Sequence, residues 1–89
     1  MKVLKFGASW CSGCLVMKPL WEKIENERKW LETEYYDYDE SQEIAKQYGV
    51  DEILPTFIFL DKDGEEITRI KGEASKKDII KILEENKDK

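Results

Sequence analysis

Eighty-nine residues, 40% hydrophobic and 39% charged, predict one small soluble globular domain over residues 1–89 and exclude a disordered chain. The net charge of −5, with acids spread along the chain and no basic stripe, argues against nucleic acid as a partner. No apolar run approaches the ~20 residues of a membrane span, and the apolar stretch after Met1-Lys2 is too short for a signal peptide, so no membrane association and a cytoplasmic location are expected.

Val3 to Ala8 reads as a central strand, apolar on both faces and interrupted by Lys5. From Ser12 the pattern turns helical, with Val16, Leu20, Ile24 and Glu27/Leu31 at three- and four-residue spacings and a kink expected at Pro19. Glu34 to Asp39 reads as a second strand. Asp39 or Ser41 is placed to cap a short helix over Gln42 to Tyr48, which Gly49 stops. Phe57 to Leu60 is β-branched and aromatic enough for a buried strand. Asp61-Lys62-Asp63-Gly64 is a hairpin turn, and Glu65 to Ile70 its partner strand, ended by Gly72. Ser75-Lys76-Lys77-Asp78 resembles a capping box and opens a last amphipathic helix on Ile79, Ile80, Ile82 and Leu83. Asn86 to Lys89 should fray. Right-handed crossovers then give an α/β domain, β-α-β-α-β-β-α, with a four-stranded mixed sheet in the order 2-1-3-4. The first and last helices lie on one face and the short helix on the other.

Both cysteines fall in Trp10-Cys11-Ser12-Gly13-Cys14, between the first strand and the first helix. A C-x-x-C pair at a helix N-terminus suits a reactive dithiol, because the first-turn N–H groups and the helix dipole favour a thiolate. Structural zinc needs four Cys or His ligands, and two cysteines without a histidine cannot supply them within one chain. Metal bridged between two chains stays open as the lesser reading. A purely structural disulfide across so short a loop would gain little. A redox site is the stronger reading, with no cofactor beyond the cysteine pair itself.

Taken together, Trp10-Cys11-x-x-Cys14, Pro19, Tyr38-Asp39, Tyr48-Gly49-Val50, Leu54-Pro55-Thr56, Asp63-Gly64 and Gly72 resemble a thioredoxin over nearly all of the chain. The resemblance is to the minimal core of the thioredoxin fold, without the family's usual extra N-terminal strand and helix. It implies a thiol–disulfide oxidoreductase that reduces protein or small-molecule disulfides, with an internal Cys11–Cys14 disulfide as the redox-active group. Cys11, exposed at the helix start, would be the nucleophile that forms a mixed disulfide. Cys14, further inward, would resolve it. Pro55 matches the family's cis-proline, and Trp10, Ser12, Gly13, Tyr38, Leu54, Pro55 and Gly72 would form the docking surface. The partners so implied are disulfide-containing proteins and a reductase as electron donor, thioredoxin reductase being the family's, with the chain acting as a monomer. A dithiol oxidant or isomerase, and a redox-sensing binding module without turnover, are the alternatives.

Four features depart from the resemblance. Ser12-Gly13 stands where thioredoxins usually carry Gly-Pro. Lys5 occupies the place of a buried aspartate, and Tyr35 that of the lysine which pairs with it. The segment Val50 to Leu54 is one residue longer than usual. A lysine near Cys14 reverses the local field, so Lys5 is a candidate for tuning the thiols if it is not simply snorkelling, with Glu34 or Asp37 as the expected acid partner. The tyrosines, Met17, Trp21 and Trp30 read as packing.

Overall fold

A computed structural model describes all of residues 1–89. The elements run β1 (Lys2–Gly7), α1 (Ser12–Glu27), β2 (Glu32–Asp37), α2 (Gln42–Gln47), β3 (Thr56–Leu60), β4 (Glu66–Lys71) and α3 (Lys76–Asn86). The sheet order is β2-β1-β3-β4, as the crossover rule requires. β1 and β2 are parallel, in a register that sets Lys5 beside Tyr35 and Gly7 beside Asp37. β3 runs antiparallel to both its neighbours. No helix is long and apolar enough to cross a membrane.

Alternation along the two central strands divides the interior into two cores. Val3, Phe57 and Phe59 point to one face, where Met17, Trp21 and Ile24 of α1 and Ile79 and Leu83 of α3 close over them. Leu4, Phe6, Ile58 and Leu60 point to the other, under Ala45 of α2 and Val50. All five residues of β3 are buried because both its faces are covered.

Several expectations from the sequence shift. β2 begins and ends two residues earlier than its tyrosine-rich run suggests. α1 runs through Pro19, as its apolar spacing predicts, but stops at Glu27, short of Leu31. Leu31 is buried from the loop beyond it. Its buried face is Met17, Trp21 and Ile24, while Val16 is exposed. Three consecutive apolar residues, Leu15-Val16-Met17, allow either phase, and contact with the sheet selects Met17. Ser41 is the N-cap of α2 but its hydroxyl makes no cap bond. Asp37 Oδ1 instead accepts the N–H groups of Asp39 (2.9 Å) and Glu40 (3.2 Å) in the turn before it. The tail is not loose: Lys62 N–H donates to the Lys89 carbonyl at 2.9 Å, tying the end of the chain to the hairpin turn.

Candidate active site

β1 ends at Gly7 and a tight loop carries the chain into α1, closed by the Cys11 N–H donating to Ala8 O at 3.2 Å. Cys11 is the N-cap of α1, with extended backbone. Its sulfur accepts the Cys14 N–H at 3.2 Å, the interaction that an N-cap oxygen usually makes with the first turn. No acid occupies that first turn, so the positive end of the helix is left to act on the sulfur. Cys11 and Cys14 are joined in a disulfide.

The burial of the two cysteines reverses the expectation. Cys11 is only 6% exposed, whereas Cys14 is partly exposed. As N-cap, Cys11 turns its sulfur back over the helix start. Cys14 faces a side on which Gly7 carries no side chain to cover it.

Around the disulfide the structure gathers most of the expected docking residues. Trp10 is 56% exposed, and its indole N–H donates to Asp39 Oδ2 at 2.9 Å, which fixes the ring over the loop. Ser12 is exposed beside it. The Leu54–Pro55 peptide is cis. Pro55 lies against Gly13 so closely that a Cβ there would sit 3.1 Å from Pro55 Cδ and 3.2 Å from Glu73 Cγ. A side chain at position 13 would have to push Pro55 or Glu73 aside by a few tenths of an ångström. The Gly72 N–H donates to Pro55 O at 2.6 Å and links the start of the last loop to the proline. Leu54, in contrast, makes no backbone hydrogen bond within the chain. Tyr38 is not gathered in the same way. Its side chain packs on the core beneath α2, and its N–H donates to Gly7 O at 2.7 Å.

Behind Cys14 is a cavity of about 490 Å³, between α1 and the β1–β2 edge of the sheet, lined among others by Lys5, Gly7, Trp21, Glu25 and Tyr35. Lys5 pairs here, but with Glu25 Oε2 of α1 at 2.8 Å, and not with Glu34 or Asp37. Glu34 cannot serve because it accompanies Leu4 in the register, on the opposite face of the sheet, where Lys2 takes it at 2.8 Å. The Lys5 ammonium lies 5.7 Å from the centroid of Trp21. The Trp21 indole N–H is itself buried without a partner.

Sequence reasoning missed two residues beside the disulfide. Glu73 reaches Gly13 from the loop after β4. Tyr35, expected to be packing, is 59% exposed and lies across Gly7 next to Cys14. Partial burial of its phenol, and then the Asp37 carboxylate, push its pKa above the ordinary tyrosine value. A glycine ending the first strand was the available signal for Tyr35.

The family model described as Thioredoxin matches residues 1–85. A thioredoxin of Chlamydia caviae is 33% identical over 84 residues, which cover 94% of this chain and 80% of that one. Thioredoxin-1 of Caenorhabditis elegans is 32% identical over 82 residues, 92% of this chain and 70% of its own. Among solved structures, a thioredoxin from Nicotiana alata superposes with a TM-score of 0.86 at 30% identity, covering 96% of this chain and 71% of that one. A chain from a study of thiol resolution in yeast mitochondrial 1-Cys peroxiredoxin via glutathione/thioredoxin systems superposes with a TM-score of 0.84 at 32% identity, covering 94% and 76%.

Proposed function

The chain belongs to the thioredoxin family and is a thiol–disulfide oxidoreductase, and from that premise we propose that it reduces disulfides of proteins or small molecules through a mixed disulfide at Cys11. The observation that carries this reading is the Cys14 N–H aimed at the Cys11 sulfur at the N-terminus of a helix with no acid in its first turn. A donor and a positive helix end stabilise a thiolate, and the thiolate is the attacking species.

In the reduced protein the Cys11 thiolate attacks one sulfur of the substrate. The substrate S–S bond breaks, a Cys11–substrate bond forms, and the departing substrate thiolate takes a proton from solvent. Cys14, as thiolate, then attacks Cys11. The mixed disulfide breaks, the internal disulfide forms, and the second substrate sulfur leaves reduced. Substrate docks over Trp10, Ser12 and Gly13 on one side and Leu54, Pro55 and Gly72 on the other. The unpaired N–H and C=O of Leu54 are free to bond an extended substrate segment. A dithiol, held by a reductase, restores the Cys11–Cys14 pair by the reverse exchange. No metal or organic cofactor enters this scheme, the chain acts as a monomer, and we place the reaction in the cytoplasm.

Two measurements test it. Turnover of a protein disulfide in the presence of a dithiol donor should require both cysteines. Alkylation of the reduced protein at neutral pH should modify Cys11 first, because nucleophilicity follows thiolate content once the disulfide opens. Prior labelling of Cys14, the more exposed residue here, would assign the attack to Cys14 and reverse the roles.

A further inference from the structure

We propose that the Tyr35 hydroxyl is the hydrogen-bond donor to the Cys14 sulfur when the disulfide opens, so that the phenol, at the place where the family usually has a lysine, serves the resolving thiol. The inference rests on the exchange reading given above and adds a residue to it.

Three observations place the phenol there. The β1–β2 register sets Tyr35 beside Lys5, with Gly7 two residues further along the same face. A Cβ at Gly7 would fall 2.9 Å from Tyr35 Oη, 3.1 Å from Tyr35 Cε1 and 3.1 Å from Cys14 Sγ. The missing side chain is therefore the space that the ring and the sulfur share. Finally, the Tyr35 hydroxyl makes no hydrogen bond within the chain, so its proton is uncommitted, and Tyr35 and Cys14 line one cavity. By contrast, Tyr36 spends its hydroxyl on the Glu34 carboxylate and stacks its ring on Phe6 at 5.5 Å.

The chemistry is donation, not transfer. A dithiol donor that opens the protein disulfide gives it two electrons, becomes a disulfide itself and releases two protons to the sulfurs or to solvent. Cys14 is no longer bonded to Cys11, and its charge is held by whatever donors face it. Tyr35 keeps its proton throughout, and a hydrogen bond to the charged form lowers the pKa of the acceptor. The other charged groups lining this side of Cys14 are Lys5 from β1, Lys18, Glu22 and Glu25 from α1, and Asp37 from β2. Lys5 and Glu25 are paired with one another at 2.8 Å. Ser9 and Trp21 also bring neutral donors to this cavity, but Tyr35 is the one whose hydroxyl shares the space above Gly7 with the Cys14 sulfur.

The test titrates each thiol alone by thiolate absorbance against pH, in Cys11→Ser and Cys14→Ser backgrounds, each with and without Tyr35→Phe. Tyr35→Phe keeps the ring and, at an exposed position, the fold. It should move the Cys14 titration to higher pH by about half a unit or more, roughly a threefold loss of thiolate below the pKa, and move Cys11 far less. Gly7→Ala, whose Cβ would crowd both the phenol and the Cys14 sulfur, should shift Cys14 in the same direction, and by less once Tyr35→Phe is present. Superimposed Cys14 curves with and without Tyr35→Phe, or equal shifts at both cysteines, would each overturn the proposal. None of these readings requires turnover, so a failure of the exchange reading would show in the substrate assay alone.

Discussion

Removing Lys5 should harm stability less than removing Glu25, although the two make one ion pair. Their charged atoms are 2.8 Å apart, with the lysine side chain 18% exposed and the glutamate 31%. At an effective dielectric of ~20 the attraction is about 6 kcal/mol. Desolvation and side-chain ordering cancel most of that, leaving a net of about 1 kcal/mol for a partly exposed pair. What each substitution leaves behind decides the difference. Lys5→Met lays an unbranched apolar chain against Trp21 and frees Glu25, in the last turn of α1, to turn outward. Glu25→Gln leaves an ammonium mostly out of water with a neutral amide oxygen in place of its counter-ion and the face of Trp21 5.7 Å away. A cation–π contact of that kind returns about 0.5–1 kcal/mol. Lys5→Met should therefore lie within about 0.5 kcal/mol of wild type, and Glu25→Gln should cost about 1–2 kcal/mol. The double variant should return close to Lys5→Met. The assay is urea unfolding of the oxidised protein, comparing midpoints at equal slope. If Lys5→Met is the costlier change, the stem of Lys5 and not its charge holds the site, and the reasoning fails. In the reduced protein the same variants carry opposite signs at the thiol: Lys5→Met should lower the fraction of Cys14 thiolate and Glu25→Gln should raise it.

Three further outcomes are expected. Ile58→Ala, at a fully buried position of β3, should cost about 2–5 kcal/mol in the same unfolding assay, and a loss below 1 kcal/mol would mean that the core beneath α2 collapses to fill the space. Ser75→Ala removes the hydroxyl that accepts the Asp78 N–H at 3.1 Å. It should cost about 0.5–2 kcal/mol, while Ser75→Asp should restore most of it; equal losses in both would count against capping. Glu34 and Glu66 are held below their ordinary 4.5, by Lys2 and then Tyr36 in the first case and by Arg69 in the second. A carboxylate depressed in the folded state adds stability that is complete above its unfolded pKa and is lost as pH falls through the folded value. Stability should start to fall below pH ~4.5 and fall less steeply in Glu34→Gln/Glu66→Gln, though only slightly because Glu66 is exposed and Glu34 only half-buried; parallel acid limbs would refute the assignment.

The sheet order and the dithiol loop could be read from the sequence because each depends on local or near-universal rules. A strand, a C-x-x-C and a helix are contiguous, and right-handed crossovers leave one topology for the remaining strands. What escaped depends on register between distant segments. That Lys5 meets Glu25 and not Glu34 follows from which face of β2 each residue occupies, and alternation fixes the face only once the parallel register is known. The approach of Tyr35 to Cys14 over Gly7 has the same origin. The exposure of Val16 shows a different limit: at the start of α1 apolar residues cover more of the helix than the sheet can bury. The reversed burial of the cysteines arises from Cys11 serving as an N-cap, a role that residue spacing alone does not reveal.

The outermost strands of the sheet have a colloidal consequence. β2 and β4 each have only one neighbour, so each presents a row of unsatisfied peptide groups on which another chain could add a strand. β2 carries Glu32, Glu34 and Asp37, while β4 carries Glu66, Arg69 and Lys71. When two copies approach with their β2 edges facing, like charges meet along the line where the new hydrogen bonds would form. Acid removes that repulsion on the β2 side by protonating its carboxylates, while Arg69 and Lys71 on β4 stay positive. Dispersed solutions near neutrality should therefore give way to edge-to-edge association through β2 as the pH falls below ~4.5, where Glu34 begins to protonate.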